Sequence, residues 1–355
     1  MSHLRPLHLA AEIGGPPRYD PAHYTGLARL AERGALDFVT LRDSFARPGP
    51  DALAVLSRVA PDTRRIGLVP TVTTTHTEPF HVSSAVATLD WISGGRAGWG
   101  VDVSTTAAEA RLFGRRPAAP AAALWREAGE AAEVAALLCD SWEDDAEIRD
   151  AATGRFLDRD KLHYASFEGA AFSVRGPAVV PRPPQGRPVT VVDGTTDPAR
   201  ETATRHADVV LVRAGTPERA AAIRDDVHRR AAAHGRDPGT LRVLAALSVD
   251  LGDAESAPEP GLESGPPLAG HGTYYRGGPV DLADLITQWH RAGAVDGFHL
   301  TPISPGRDLE RIVNGTVALL QHRSLFRTFC PGGTLREHLG LARPANRYAR
   351  QGERV

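Results

Sequence analysis

The sequence predicts an eight-unit α/β barrel, and three observations carry that prediction. Short β-branched or apolar runs alternate with helix-period segments almost from end to end. Eight strand candidates can be counted, each followed sooner or later by a helix candidate, which is the pattern of a parallel sheet covered by helices. At 355 residues the chain is long for an ordinary domain, whereas closed α/β barrels commonly run past about 250 residues as one unit. The fold class is therefore a (β/α)8 TIM barrel with insertions.

The units follow in order. LHLAAEI (7–13) precedes PAHYTGLARLAERGA, and DFVTLRD (37–43) precedes DALAVLSRVAPDT. RIGLVPTVTT (65–74) leads into PFHVSSAVATLDWIS, and RAGWGVDVS (96–104) into the long AAALWREAGEAAEVAALLCDSW. VTVVDGT (189–195) is followed by DPARETATRHA, and DVVLVRA (208–214) by PERAAAIRDDVHRRAAAHG. LRVLAALSVDL (241–251) precedes DLADLITQWHRAG, and DGFHLTPIS (296–304) precedes DLERIVNGTVALLQH. Two stretches break the rhythm. Residues 144–188 are polar and aromatic, then proline-rich, and residues 254–279 are rich in proline and glycine. The chain reads as one domain over 1–355 with insertions at about 144–188 and 254–279. Barrel sites are built from loops at the strand C-terminal ends, so both insertions are lid candidates, the second the more mobile.

Composition excludes several classes. Hydrophobic residues make up 42%, charged residues 24%, and the formal net charge is −2, so no global field favours nucleic acid or an anionic membrane. Arginines are scattered among Asp and Glu, and Lys161 is the only lysine; the arginines read as a solvated mixed surface. Cys139 and Cys330 are far apart and lack a C-x-x-C partner, which leaves neither a zinc cluster nor a disulfide framework and points to a reduced cytoplasmic protein. MSHLRPLHLAAEIGGPP is interrupted by His8 and Glu12 and makes a poor signal peptide. No apolar run approaches the roughly 20 residues of a membrane span.

The stretch DWISGGRAGWGVDVSTT carries Gly94, Gly95, Gly98 and Gly100. A dinucleotide fingerprint needs strand, glycines, then helix; here a helix ends, Gly94 and Gly95 stand where a left-handed cap belongs, and a strand begins. The glycine loop is therefore not a nucleotide fingerprint. Gly98 and Gly100 lie inside the strand, where glycine marks a tight barrel wall or close approach by a ligand.

Side chains at the strand C-terminal ends are Glu12, Asp43, Thr73 through His76, His81, Asp102, Ser104, Asp193 and His299. No H-x-H follows the first strand, which argues against a metal hydrolase. A glycosidase could draw a carboxyl pair from Asp43, Asp102 and Asp193, but aromatic residues are only 6%, few for sugar stacking. A Schiff-base lysine enzyme is excluded, because no strand carries a lysine. At VVDGTTDPARETA, Gly194, Thr195 and Thr196 precede a helix and place backbone N–H groups and hydroxyls where a phosphate can sit, although Asp193 and Asp197 would oppose a dianion.

TEPFHVSSAVATLDWISGGRAGWGVDVS, DSWEDDAEIRDAATGRFLDRDKLHY, FSVRGPAVVPRPPQGRPVTVV and LFRTFCPGGTLREHLGLARP resemble the bacterial-luciferase-like flavin-dependent monooxygenases, in particular the nitrilotriacetate and dibenzothiophene-sulfone monooxygenase branch. The likeness runs from Leu7 to Pro344. It implies a barrel that binds reduced FMN at its mouth, usually as a homodimer through helices of the first third. The flavin would come from a separate NAD(P)H:flavin reductase, and with O2 it would oxygenate a small organic substrate. Carried over by position, the resemblance assigns flavin contacts to Asp43, Thr74, Thr75, Ser104 and Trp125, and phosphate contacts to Gly194, Thr195 and Thr196. His76 or His81 is expected to donate a proton or to stabilise a peroxide.

Departures from the family pattern are Gly100 for its Asn, Val192-Asp193 for its Gln-Ala, Ser84 for the Arg of H-L-A-R, and a much shorter stretch before the last barrel unit. The Gly100, Val192 and Asp193 changes and the shortened stretch motivate a second reading, a non-catalytic luciferase-like partner or binding subunit; a third is an F420-dependent oxidoreductase on the same barrel.

Overall fold

The protein is described by a computed structural model covering residues 5–263 and 273–349. The barrel strands are β1 (His8–Glu12), β2 (Phe38–Leu41), β3 (Gly67–Thr73), β4 (Gly98–Asp102), β5 (Val189–Asp193), β6 (Val209–Val212), β7 (Arg242–Asp250) and β8 (Gly297–Pro302). Pairing runs β6–β5–β4–β3–β2–β1–β8–β7, all parallel, and closes where Val209 through Val212 of β6 register with Arg242 through Ala245 of β7. Each strand expected from the sequence is a stave of this barrel.

The helices that matter for the site are α1 (Pro21–Arg33), α2 (Ala52–Val59), α3 (Pro79–Ser93), α4 (Ala107–Phe113), α5 (Ala121–Asp140) and α6 (Asp197–His206). Their ends follow local chemistry. Asp20 accepts the Ala22 N–H ahead of Pro21 and starts α1. Thr106 and Glu109 form a reciprocal capping box on α4. Gly94 ends α3 at φ 67°, the left-handed cap that its position in DWISGG implies.

Strand alternation sorts the side chains into two layers. Phe38, Val69, Val191, Leu211 and Leu244 are among those that fill the barrel interior, packed with Leu335, Leu339 and Leu341 from the C-terminal region. Leu9, Val39, Leu68, Trp99, Val101 and Val210 face outward into the larger core shared with the helices. Gly98 and Gly100 belong to the inner face of β4. A Cβ on Gly98 would stand 2.8 Å from the Val189 carbonyl oxygen, and one on Gly100 would stand 3.0 Å from Thr71 Oγ1. Close approach of neighbouring staves accounts for both glycines.

Residues 144–188 carry two small hairpins, Glu147–Asp150 with Arg155–Leu157 and Phe167–Glu168 with Ser173–Val174. Val134 and Leu138 of α5 anchor this insertion through a cluster with Trp142, Val174 and Ala178. In the second insertion, Gly261–Glu263 pairs with Tyr274–Arg276, which extends the sheet beside β7. The mobility expected of 254–279 falls partly on 264–272, outside the described residues. No helix among the described residues is long and apolar enough to cross a membrane.

Candidate active site

The C-terminal ends of the strands carry a polar layer built by the same alternation that makes the interior apolar below. Glu12 of β1, Asp193 of β5 and Thr301 of β8 face it together with Arg42 and Arg213, each one residue beyond its strand. Arg42 reaches 4.0 Å from Asp102 and 3.9 Å from Asp193, and Arg213 lies 2.6 Å from Asp193. Burial raises the carboxyl of Glu12 above its ordinary range, against the pull of Arg42. Burial acts on Asp193 too, but Arg213, Thr195 and Arg42 outweigh it and hold that carboxyl below the usual range. One level deeper, Thr40 Oγ1 and His299 Nε2 share a hydrogen bond of 2.8 Å in the buried interior. His299 thus belongs to the barrel packing beneath the mouth.

On the β3–β4 side the chain folds so that several expected residues meet. The turn Thr74–His76 follows β3 directly. Thr74 Oγ1 donates to the Asp102 carbonyl at 3.1 Å, and Thr75 Oγ1 accepts the Ser104 amide at 2.9 Å. Ser104 is only 2% exposed, yet its Oγ has no partner among the described residues. His76 stacks on Phe113 with ring centroids 4.4 Å apart and has Phe45 at its edge; its Nε2 is also buried without a partner. Burial and the nearby Arg116 lower the His76 pKa, so its neutral form dominates near neutral pH. Arg116 itself is clamped by Glu127 at 2.6 and 2.7 Å and donates to the Thr75 carbonyl.

At the neighbouring stave β5 the expected phosphate loop is held in a closed arrangement. Asp193 Oδ1 accepts both the Thr195 N–H at 3.1 Å and the Thr195 hydroxyl at 2.5 Å. Arg213 donates to Asp193 and to Thr195 Oγ1 at 2.6 and 2.5 Å. The Gly194 N–H is tied to the Leu211 carbonyl, while the Gly194 carbonyl accepts from Arg200. Thr196 opens α6, and its side chain makes no capping bond. Two guanidiniums, from Arg200 and Arg213, therefore border the helix N-terminus and oppose the charge that Asp193 brings there.

Other expected residues stand farther from this meeting point. Asp43 spends one carboxylate oxygen on the Ala52 N–H at 2.8 Å, at the start of α2, and with Arg42, Arg47 and Glu12 it lines a recess of about 440 Å³. Trp125 is buried on α5, which packs against the Thr74–His76 turn, and its carbonyl accepts the Thr202 hydroxyl. His81 is exposed on the first turn of α3. In the sequence Arg42 and Arg213 read as part of the solvated mixed surface. Their positions at the ends of FVTL and VVLV, two residues after the inward Thr40 and Leu211, were the available signal.

These groups fit a flavin in two respects. Among the described residues the buried Ser104 Oγ and His76 Nε2 have no hydrogen-bond partner, as expected of positions that face a polar ring system. The α6 N-terminus, with Arg200, Arg213 and two threonines, fits an anionic tail once Thr195 is released by Asp193.

An eight-stranded parallel barrel with a polar mouth at the strand C-terminal ends defines an α/β-barrel of the kind that carries an enzyme site there. The chain belongs to the luciferase-like monooxygenases: the model of that family matches residues 2–293. It is 34% identical to nitrilotriacetate monooxygenase component A of Aminobacter aminovorans, covering 93% of this chain and 92% of the relative. It is 31% identical to N-acetyl-S-(2-succino)cysteine monooxygenase of Bacillus subtilis (strain 168), covering 92% and 91%. Among solved structures, a long-chain alkane monooxygenase superposes with a TM-score of 0.83 at 23% identity, over 95% of this chain and 96% of that one.

Proposed function

We propose that this chain is the oxygenase component of a two-component system, a cytoplasmic homodimer that takes reduced FMN from a separate NAD(P)H:flavin reductase and oxygenates a small organic molecule. The observation that carries the reading is the Ser104 hydroxyl, buried beside Thr75 just past β4 with no partner among the described residues. A buried hydroxyl without a partner costs stability in the empty barrel, and a polar ring at the mouth offsets that cost.

When bound, reduced flavin supplies the electrons that activate O2. The chain's own residues do the rest. Ser104, Thr74 and Thr75 bind the ring edge, with Asp43 and Trp125 setting the flanking walls. Gly194, Thr195, Thr196, Arg200 and Arg213 anchor the phosphate. Phe45 and Phe113 keep water away from His76, whose neutral imidazole holds or moves a proton at Nε2. His81, exposed on α3, stays outside this set.

Titration of the purified protein with FMN, oxidised and then anaerobically reduced, tests the proposal. Saturable binding of reduced FMN at micromolar concentration is the expected result. No saturation at millimolar flavin would overturn it and favour the non-catalytic reading, which draws on the hold Asp193 has on Thr195.

A further inference from the structure

A second cavity, of roughly 450 Å³, lies outside the barrel wall. Trp99 points outward from β4, the opposite face from Gly98 and Gly100, and forms its floor with Val82 and Val86 of α3 and Ala132 of α5. The volume falls within the range of small-molecule sites. The flavin mouth lies at the C-terminal ends of the strands inside the barrel, so the two spaces are on different sides of the wall.

The polar end of this cavity is unevenly charged. Four of its arginines have carboxylate partners: Arg187 with Asp140, Arg205 with Glu201, Arg336 with Asp208, and Arg347 with Glu133. Arg236 differs. Its guanidinium donates to the backbone carbonyls of Thr204 at 3.2 Å and Ala207 at 2.8 Å. Among the described residues no carboxylate lies within ion-pair distance of it. Two carbonyls fix the orientation of the guanidinium and neutralise none of its charge. Partly burying a full positive charge without a counter-ion is costly. Consistent with this, burial lowers the Arg236 pKa against the pull of Asp208, whose carboxylate is engaged by Arg336. Beside it His206 is held neutral near physiological pH by burial and so adds no competing charge.

We propose that this cavity is a second ligand site, taking a small amphipathic anion whose flat apolar body lies against Trp99, Val82 and Val86 and whose carboxylate or sulfonate meets Arg236. The apolar floor supplies affinity through burial, and the single uncompensated guanidinium supplies the sign of the charge. The site does not depend on flavin chemistry.

The probe is 4-bromobenzoate, with neutral 4-bromobenzyl alcohol as its control. Crystals soaked in 4-bromobenzoate should show an anomalous bromine peak against Trp99, and calorimetry should give saturable binding in solution. Arg236→Met should weaken 4-bromobenzoate at least tenfold and leave 4-bromobenzyl alcohol within about twofold. Ala132→Phe, which fills the floor, should abolish binding of both while leaving the FMN titration unchanged. A bromine peak only at the barrel mouth, binding at crystal concentration only, or equal loss of the anion and the alcohol in Arg236→Met would each overturn the proposal.

Discussion

Asp193 holds Thr195 at two points, accepting both its amide N–H at 3.1 Å and its hydroxyl at 2.5 Å through the same carboxylate oxygen. These are the donors that the loop before α6 would otherwise offer to a phosphate. The carboxylate therefore occupies, from within the chain, the electrostatic role that a bound anion would take. Arg213 bridges that carboxylate and the Thr195 hydroxyl.

The first prediction is that Asp193→Ala tightens binding of FMN by roughly 5- to 30-fold, about 1–2 kcal/mol. It frees two donors and removes a negative charge beside a dianion. Riboflavin, which lacks the phosphate, should bind within about twofold of wild type. Parallel fluorescence titrations with the two flavins check this. Weaker FMN binding in the variant would mean that Asp193 serves instead to orient Arg213.

Ser104 yields a prediction with opposite signs in two measurements. Its hydroxyl has no partner among the described residues, so Ser104→Ala should leave the melting temperature of the flavin-free protein unchanged or slightly raised. The same change should weaken reduced FMN by roughly 5- to 10-fold, about 1 kcal/mol. A structural serine would instead lose stability and keep its flavin affinity.

Much of this arrangement was legible in the sequence, and the exceptions have physical causes. Strand-helix alternation fixed all eight staves because parallel barrel strands are short apolar runs bounded by turns. The order helix, Gly94-Gly95, strand excluded a dinucleotide loop, and Gly94 does cap α3. Thr75, His76 and Ser104 come together because they follow adjacent staves, β3 and β4. Arg42 and Arg213 were missed because in a chain with scattered arginines a single strand-terminal one looks like solvated surface. Only the closure of the barrel shows that both face Asp193. Whether Asp193 would oppose a phosphate or turn aside could not be read locally either, since the answer lies in Arg213, twenty positions along the chain.

His76 should separate proton handling from binding. Its pKa is lowered from the ordinary 6.5, chiefly by burial, so the neutral imidazole is available across the neutral range. His76→Gln keeps a polar group of similar reach but cannot exchange a proton. It should leave the flavin dissociation constant within about threefold and reduce turnover by roughly 10²-fold or more. In the wild type the acid limb of the turnover profile should fall below pH 6.5 and vanish in the variant. His81→Gln, at an exposed position, should leave both quantities unchanged.

His206 should set part of the acid sensitivity of folding. Burial lowers its pKa from 6.5 to about 4, with Glu133 opposing. Between those values the unfolded chain binds the proton and the folded chain does not, so stability rises with pH through this window and is lost as pH falls toward 4. The linked contribution is about 3 kcal/mol when fully expressed. Denaturant titrations at pH 4.5, 5.5 and 6.5 should show this slope in wild type and a shallower one in His206→Gln.

Arg96 offers the sharpest stability test away from the site. It is 4% exposed and donates to the Ser93 carbonyl, Thr63 Oγ1 and the carbonyls of Ile66, Ala60 and Thr63 at 2.7 to 3.1 Å. These bonds tie the end of α3 to the segment between α2 and β3, and so set where β3 and β4 enter the barrel. Leucine at this position has the apolar stem but none of the donors, and would leave several buried carbonyl oxygens unsatisfied. Arg96→Leu should therefore lower unfolding free energy by about 3–5 kcal/mol. Chemical denaturation gives that value directly. A loss below about 1 kcal/mol would mean that water replaces the guanidinium at those carbonyls and that the helix ends are held by packing alone.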